Sequence, residues 1–301
     1  MSRHPGFAVV VCTHARPGYL AACLAGLARQ QAEASPVIVV DSASPPDAAR
    51  EIVGIAASAG ATLLRCEAPG LSVARNAGLA ASPAAWTAFL DDDAVPEPDW
   101  AARLAATIET LPNRAAALGG RILPAWEGPL PGWWPASLRG VLTIVEWEGA
   151  GEIGRDVPAG VEVYGANMAF RSDALREAGG FPEHLGRIGD RLLSGEEVEV
   201  LDRLRARGLG VFYDGRITVR HSIQAARMRP DWLLSRLHWQ GATDALRDRR
   251  AGLPRRAPGA AAKLLLQAPL LLWPASKATL MRARCGAAYN LGYLRGALQG
   301  A

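Results

Sequence analysis

Over its first 125 residues the chain alternates short β-branched runs with segments of helical period, the pattern of a parallel sheet covered by helices. FAVVVCT, from Phe7 to Thr13, leads into a helix with Leu20, Leu24 and Leu27 on one face. VIVV at 37–40 precedes a helix around Ile52 and Ile55, and ATLLR at 61–65 passes through Pro69 and Gly70 into a helix carrying Arg75 and Asn76. WTAFL at 86–90 runs straight into Asp91, Asp92 and Asp93; a helix after Pro96 and Pro98 and the strand AAALGGRIL complete the series. Ligands of such sheets bind beyond the carboxyl ends of the strands. Thr13, Asp41 and the three aspartates all fall there.

The pattern breaks at 124–160, where Pro, Gly and Trp (Trp126, Trp133, Trp134, Trp147) accumulate without a period and predict an elaborated loop with one short helix or strand. From Val161 the expected order is a strand, a helix and a turn, then a helix from Gly195 to Arg207 and two strands, VFY and ITVRH. Helices dominate from Pro230, separated by 252–259.

Half of the 301 residues are hydrophobic and 21% charged, with mean hydropathy +0.06, which argues against a disordered chain and a multispan membrane protein. The four cysteines show no CxxC spacing and the first three lie in apolar runs, which predicts buried thiols in a reducing, cytoplasmic compartment. No signal peptide is expected ahead of the run at Phe7. The net charge of +4 is unevenly placed, for 14 Lys or Arg oppose three Asp or Glu from Arg220 onward. This basic tail carries LLLQAPLLLW at 264–273, too short to span a bilayer. Apolar insertion and basic attraction together predict peripheral docking on an anionic membrane; the alternative is packing onto the preceding domain. No nucleic-acid motif accompanies the basic residues, so no nucleic-acid partner is expected.

Three consecutive carboxylates at the end of an apolar strand repel one another unless a cation or strong donors neutralise them. Oxygen ligands from one or two carboxylates plus substrate phosphates suit Mg2+ or Mn2+; the bland alternative is a solvated turn with a helix cap. Asp41, followed by Ser-Ala-Ser, reads equally as a ligand contact or an Asx-turn. His221 closes an alternating strand, placed to offer a neutral imidazole to a metal or to serve structurally. Ser194-Gly195-Glu196-Glu197 matches a capping box. A carboxylate there is favoured in its ionised form by the helix dipole and is weakly basic.

In order along the chain, VCTHARPGYL, VVDSAS, GLSVARNAGL, FLDDD, GANMAFRSDALREAGGF, SGEEVEVLDRLRARG and VRH resemble the motifs of family 2 glycosyltransferases of the GT-A fold, over about Phe7 to Gly241. The resemblance implies an α/β, Rossmann-like, mostly parallel sheet flanked by helices, with a GT-A domain at 1–241 and a helical extension at 242–301. Within that domain, about 1–123 would bind the nucleotide-sugar and 124–241 the acceptor. It implies nucleotide-sugar contacts from Thr13, Arg16, Asp41, Arg75, Asp91 and Asp92, with Asp92 the variable middle position. Asp93, assisted by Asp91 and His221, would hold Mg2+ or Mn2+. Glu197 or Glu196 would be the base, Glu standing where the family more often has Asp.

The activity implied is inverting, metal-dependent transfer from a nucleoside diphosphate sugar to a hydroxyl of a glycan or lipid-linked acceptor, at the inner face of the cytoplasmic membrane. The Trp-rich segment is the expected seat of acceptor specificity, since aromatic faces stack on sugars and lipids alike. A sugar nucleotidyltransferase would want a Gly-rich loop after the first strand, which Thr13-His14-Ala15-Arg16-Pro17 lacks. The alternative from another class is a non-catalytic nucleotide-sugar-binding scaffold at the membrane.

Overall fold

The computed structural model describes residues 6–31, 36–187, 192–250, 252, 256–272 and 276–298. The first half follows the expected alternation: β1 (Phe7–Thr13), α1 (Pro17–Ala28), β2 (Val37–Ser42), α2 (Pro46–Ser58), β3 (Thr62–Cys66), α3 (Leu71–Ala81) and β4 (Trp86–Asp91). Proline opens α1 and α2, where its missing N–H leaves no helical bond unmade. Then come β5 (Ala94–Pro96), α4 (Trp100–Thr110), β6 (Ala115–Trp126), β7 (Ala150–Glu152), β8 (Met168–Arg171), α5 (Ser172–Glu177), α6 (Glu196–Ala206) and β9 (Gly210–Ile223). The strand expected at Val161 forms only from Met168, and VFY and ITVRH merge into the single strand β9. The Trp-rich segment contains a 3-10 helix at Ala136–Leu142 and the short β7.

The sheet runs in the order β3-β2-β1-β4-β8-β6-β9-β5, with β7 on β9. The expected parallel pairing holds across β3-β2-β1-β4, whereas β4–β8, β6–β8 and β5–β9 are antiparallel. All seven residues of β1 are buried, because helices cover both faces and leave no polar side to the strand. Val9 and Val11 join Leu20, Leu24, Ile52 and Trp100 on one face; Val10 joins Ala74, Phe89, Phe170, Phe181 and Leu201 on the other. The register sets Thr13 beside Asp41 and Cys12 beside Asp91. The chain winds from β1 to β3 in one direction and resumes on the other side of β1 with β4, so these residues lie at the switch point where such sheets bind ligands.

The chain forms two compact units: Met1–Ala125, Thr143–His184 and Glu196–Ser222 in the first; Trp126–Leu142, Leu185–Gly195 and Ile223–Ala301 in the second. The domain limit expected at 241/242 falls inside α7 (Pro230–Arg250), because one uninterrupted helix spans it. Two more helices, α8 (Ala257–Leu272) and α9 (Lys277–Leu298), complete the second unit. There α7 and α9 cross backbone to backbone at Gly241, Gly292 and Gly296; a Cβ on Gly292 would lie 1.8 Å from the His238 carbonyl oxygen. Tyr289 and Tyr293, one turn apart, donate to Asp244 and Asp248 at 2.6 and 2.8 Å and fix the register of the pair. Leu265 and Leu266 of α8 are 76% and 75% exposed. Arg255 and Trp273 of the predicted docking segment lie outside the described residues.

Candidate active site

Three clusters form at the carboxyl edge of the parallel strands and at the start of α6, all within the first unit. In the first, the turn after β4 sends Asp92 inward, fully buried. Its carboxylate accepts from Thr13 Oγ1 at 2.7 Å and from Arg16, both through Nε at 3.2 Å and through Nη2. Burial pushes the Asp92 carboxyl up to about 7, against the pull of Arg16. Asp92, expected among the nucleotide-sugar contacts, faces inward in this structure and braces the loop. Thr13 and Arg16 spend donors on it that the sequence assigned to nucleotide.

Asp93 is buried beside it. Its Oδ2 accepts from Arg16 Nη1 at 2.8 Å, and its Oδ1 stands 3.3 Å from His221 Nε2, because β5 pairs Ala94 with His221 of β9. Neighbouring ligands of an octahedral Mg2+ with bonds near 2.1 Å are about 3 Å apart. The Asp93–His221 pair fits such an ion. Among the described residues no group of three or more His, Cys, Asp or Glu gathers for a metal, so a donor's phosphates would have to complete the shell.

The second cluster joins α3, β4 and α6. Arg75 is buried, donating through Nη1 to Glu196 Oε1 at 2.6 Å and through Nη2 to Asp91 Oδ1 at 3.1 Å, with its guanidinium 5.4 Å above the Phe181 ring. Burial opposes its charge, but Glu196 and Asp91 outweigh that and raise its proton affinity. Arg75, expected on the base or diphosphate, stands in this structure as the cation between two carboxylates. Room for it comes from Gly165, where a Cβ would lie 2.0 Å from Nη2.

Glu197 stands next to Glu196 in the first turn of α6. The capping box does not form: the Ser194 hydroxyl donates to Gln240 at 3.3 Å, and Gly195, at φ +87°, makes the turn into the helix. Burial, and then the neighbouring Glu196, push the Glu197 carboxyl up to about 8 despite Arg75. The sequence suggests a dipole-stabilised, ionised carboxylate here; burial acts in the opposite direction and favours the protonated form.

In the third cluster, Asp41 accepts from the Ser44 N–H at 3.0 Å and from the Arg65 guanidinium, so the turn reading is realised. Ala15 and Ala43, in the loops after β1 and β2, both hold positive φ (53° and 55°). The Ala15 N–H donates to Ser44 Oγ at 2.8 Å, and His14 Nδ1 meets the Ser42 carbonyl oxygen at 2.7 Å. The two loops are thus stitched together in a conformation costly for a residue with a Cβ, a hallmark of functional sites. Asn76 braces the turn at Phe181, as its amide donates to the Phe181 carbonyl oxygen and accepts from the Phe181 N–H. Of the expected aromatic surface, Trp147 packs against Tyr213, while Trp133 and Trp134 stack on each other. Sequence reading gave no role of their own to Arg65, or to Ser44 and Gly165 within the motifs that contain them; no local signal marks a glycine needed by a residue 90 positions away.

The glycosyl transferase family 2 model matches residues 8–148. The glucosyl-dolichyl phosphate glucuronosyltransferase of Haloferax volcanii is 33% identical over 189 residues, 62% of this chain and 59% of that protein. The chain thus spans less than two thirds of that relative's length. The succinoglycan biosynthesis protein ExoM of Rhizobium meliloti is 30% identical over 239 residues, 77% of this chain and 72% of that one. Among solved structures, mannosyltransferase PcManGT from Pyrobaculum calidifontis, in complex with GDP-Man and Mn2+, superposes with a TM-score of 0.60. That match has 18% identity and covers 96% of this chain and 88% of that one. S. aureus TarS 1-349 in complex with UDP gives a TM-score of 0.56 at 15% identity, covering 95% and 90%. With the motifs in order, the GT-A sheet and a relative matched over most of both lengths, the chain belongs to glycosyl transferase family 2.

Proposed function

We propose that the protein transfers a sugar from a nucleoside diphosphate sugar to a hydroxyl of a glycan or lipid-linked acceptor, with inversion and with Mg2+ or Mn2+ bound. The observation that carries this reading is that Arg75 ties Asp91, at the end of β4, to Glu196 at the start of α6, where Glu197 carries a raised carboxyl, while Asp93, two residues after Asp91, faces His221. The nucleotide would lie over the stitched loops after β1 and β2, near Thr13, Arg16 and Asp41. A divalent ion held by Asp93 and His221, with Asp91 assisting, would offset charge developing on the leaving diphosphate. Glu197 would take the acceptor proton as its oxygen attacks the anomeric carbon. A non-catalytic scaffold would have no use for a buried carboxyl of raised proton affinity. The names of the relatives, a dolichyl phosphate-linked sugar transferase and a succinoglycan biosynthesis protein, support a lipid-linked or glycan acceptor.

The reading places the protein at the inner face of the cytoplasmic membrane. No described helix is long and apolar enough to cross a membrane. The support for peripheral contact is the exposed Leu265–Leu266 pair next to exposed Lys263 in the basic tail. The decisive experiment is a thermal-shift screen of UDP-, GDP- and dTDP-sugars with and without Mn2+, followed by donor hydrolysis with the stabilising sugar. If no sugar nucleotide stabilises the protein or is turned over, the transferase reading fails. Co-sedimentation tests the membrane contact: binding to anionic but not neutral vesicles, weakened by salt, should be lost in Leu265→Glu/Leu266→Glu.

A further inference from the structure

Adjacent residues of α3, Arg75 and Asn76, both connect to α6, and the proposed reaction calls only on the first. Arg75 connects directly, donating through Nη1 to Glu196 Oε1 at 2.6 Å. Asn76 connects through the turn Gly179-Gly180-Phe181: its amide donates to the Phe181 carbonyl oxygen at 2.9 Å and accepts from the Phe181 N–H at 2.8 Å. Arg203 of α6 grips the same turn, donating through Nη1 to the Ala178 carbonyl oxygen at 2.6 Å and through Nη2 to that of Gly180 at 2.9 Å. Arg203 follows Glu196 by two helical turns, on the same face of α6. We infer that Asn76 and Arg203 are positioning residues that hold the Phe181 ring in place, and through it the Arg75 guanidinium between Asp91 and Glu196. The inference deepens the proposed transferase reading and rests on it for its catalytic consequence.

The turn allows little play. Gly179 and Gly180 hold φ of +86° and +66°, and a Cβ on Gly180 would stand 2.6 Å from Asn76 Oδ1, so the backbone fits against the amide only as glycine. The Phe181 ring is buried and meets Phe89 and Phe170 edge-on, with centroids 5.2 and 5.8 Å away. Cζ of Arg75 lies 5.4 Å from the centre of that ring, a cation–π contact of the kind that strengthens where water is excluded. Asp91 and Glu196 direct the N–H groups of Arg75, and the ring sets where the flat guanidinium rests. In the proposed reaction Asp91 serves the donor and the first turn of α6 supplies the base, so a shift of this cation moves one side relative to the other. A misplacement of about 1 Å can cost a reaction roughly 100-fold. Neither Asn76 nor Arg203 exchanges a proton or touches substrate in this assignment.

Carbon-detected NMR of the guanidinium groups in the full chain tests this without substrate, the Arg75 signals being those that Arg75→Lys removes. In the wild type the two Nη resonances should be resolved, because the bonds to Asp91 and Glu196 slow rotation about Cζ–Nε. Asn76→Ala and Arg203→Ala should each speed that rotation by roughly tenfold or more, the equivalent of one hydrogen bond weakened. Arg176→Ala is the control, since the Arg176 side chain clasps the end of α3 at the Leu79 and Ser82 carbonyl oxygens and not the turn. It should lower the urea midpoint and leave the Arg75 signals as they are. If an alanine variant does not fold, Arg203→Lys keeps the charge but loses the two-pronged grip and should give an intermediate rate. Unchanged Arg75 rotation in a folded variant of either residue overturns the inference and leaves the clamp as a brace of the fold. With whichever UDP-, GDP- or dTDP-sugar the protein hydrolyses, the folded variants should lower kcat by roughly 10- to 100-fold with KM little changed. Hydrolysis of none would remove the transferase reading and leave the NMR result standing.

Discussion

One methyl group at Gly165 should disable the link between α3 and α6. The Cβ of Gly165→Ala would stand 2.0 Å from Arg75 Nη2 and 3.0 Å from Cζ, where ordinary van der Waals separation is about 3.5–4.0 Å. The guanidinium must retreat by more than about 1 Å, beyond what a hydrogen bond tolerates. The 3.1 Å bond to Asp91 therefore breaks, and the 2.6 Å bond to Glu196 is strained or lost with it. An exposed arginine tip would swing away at little cost, but this one is 3% exposed. Stranding one partner of a buried pair costs roughly 3–5 kcal/mol, set against a gain of under ~1 kcal/mol from the less flexible unfolded chain. Urea denaturation followed by circular dichroism should show a lower midpoint with an unchanged slope. In an Arg75→Ala background the same methyl should cost almost nothing, a coupling that the double-mutant cycle isolates. A loss below about 1 kcal/mol in the Arg75 protein would show that the guanidinium relaxes freely and that the chain of ion pairs is not a fixed part of the site.

Other outcomes follow from the same geometry. Asp93→Ala should keep the fold and lose Mn2+-dependent nucleotide-sugar binding by titration calorimetry; unchanged affinity would dismiss Asp93 as a ligand. Glu197→Gln should lower transfer by about two to four orders of magnitude. Because its folded-state affinity is raised to about 8, the native protein holds a proton that the unfolded chain releases near pH 4.5. Ionisation therefore costs the wild type about 1.4 kcal/mol of stability per pH unit as pH rises through that window. Urea midpoints of wild type and Glu197→Gln should accordingly diverge between pH 5 and 8, the variant gaining; parallel curves would refute the raised value. Gly292→Ala must push α9 off the His238 backbone and should destabilise by about 1–3 kcal/mol or more. Gly259→Ala, with nothing within 4 Å of its Cβ, should be neutral or stabilising in a thermal melt.

The β-branched and helical periods at 7–110, the proline-opened helices and the arrival of Thr13, Asp41 and Asp91 at strand ends are legible in the residues alone. Each depends on neighbours within a few positions, and parallel pairing then aligns the strand ends. The order of the family motifs was likewise readable, and with it the set of side chains that the fold gathers. What each side chain does there was not. Whether Asp92 faces out or in depends on a turn whose partners, Thr13 and Arg16, lie 79 and 76 positions away. The ion pair that Glu196 makes depends on Arg75, 121 positions away, and on a glycine that leaves that arginine room. Even the capping box, a local pattern, yields to the Ser194–Gln240 contact with α7. Burial and the position of a countercharge set these outcomes, and both come into being only when distant elements pack.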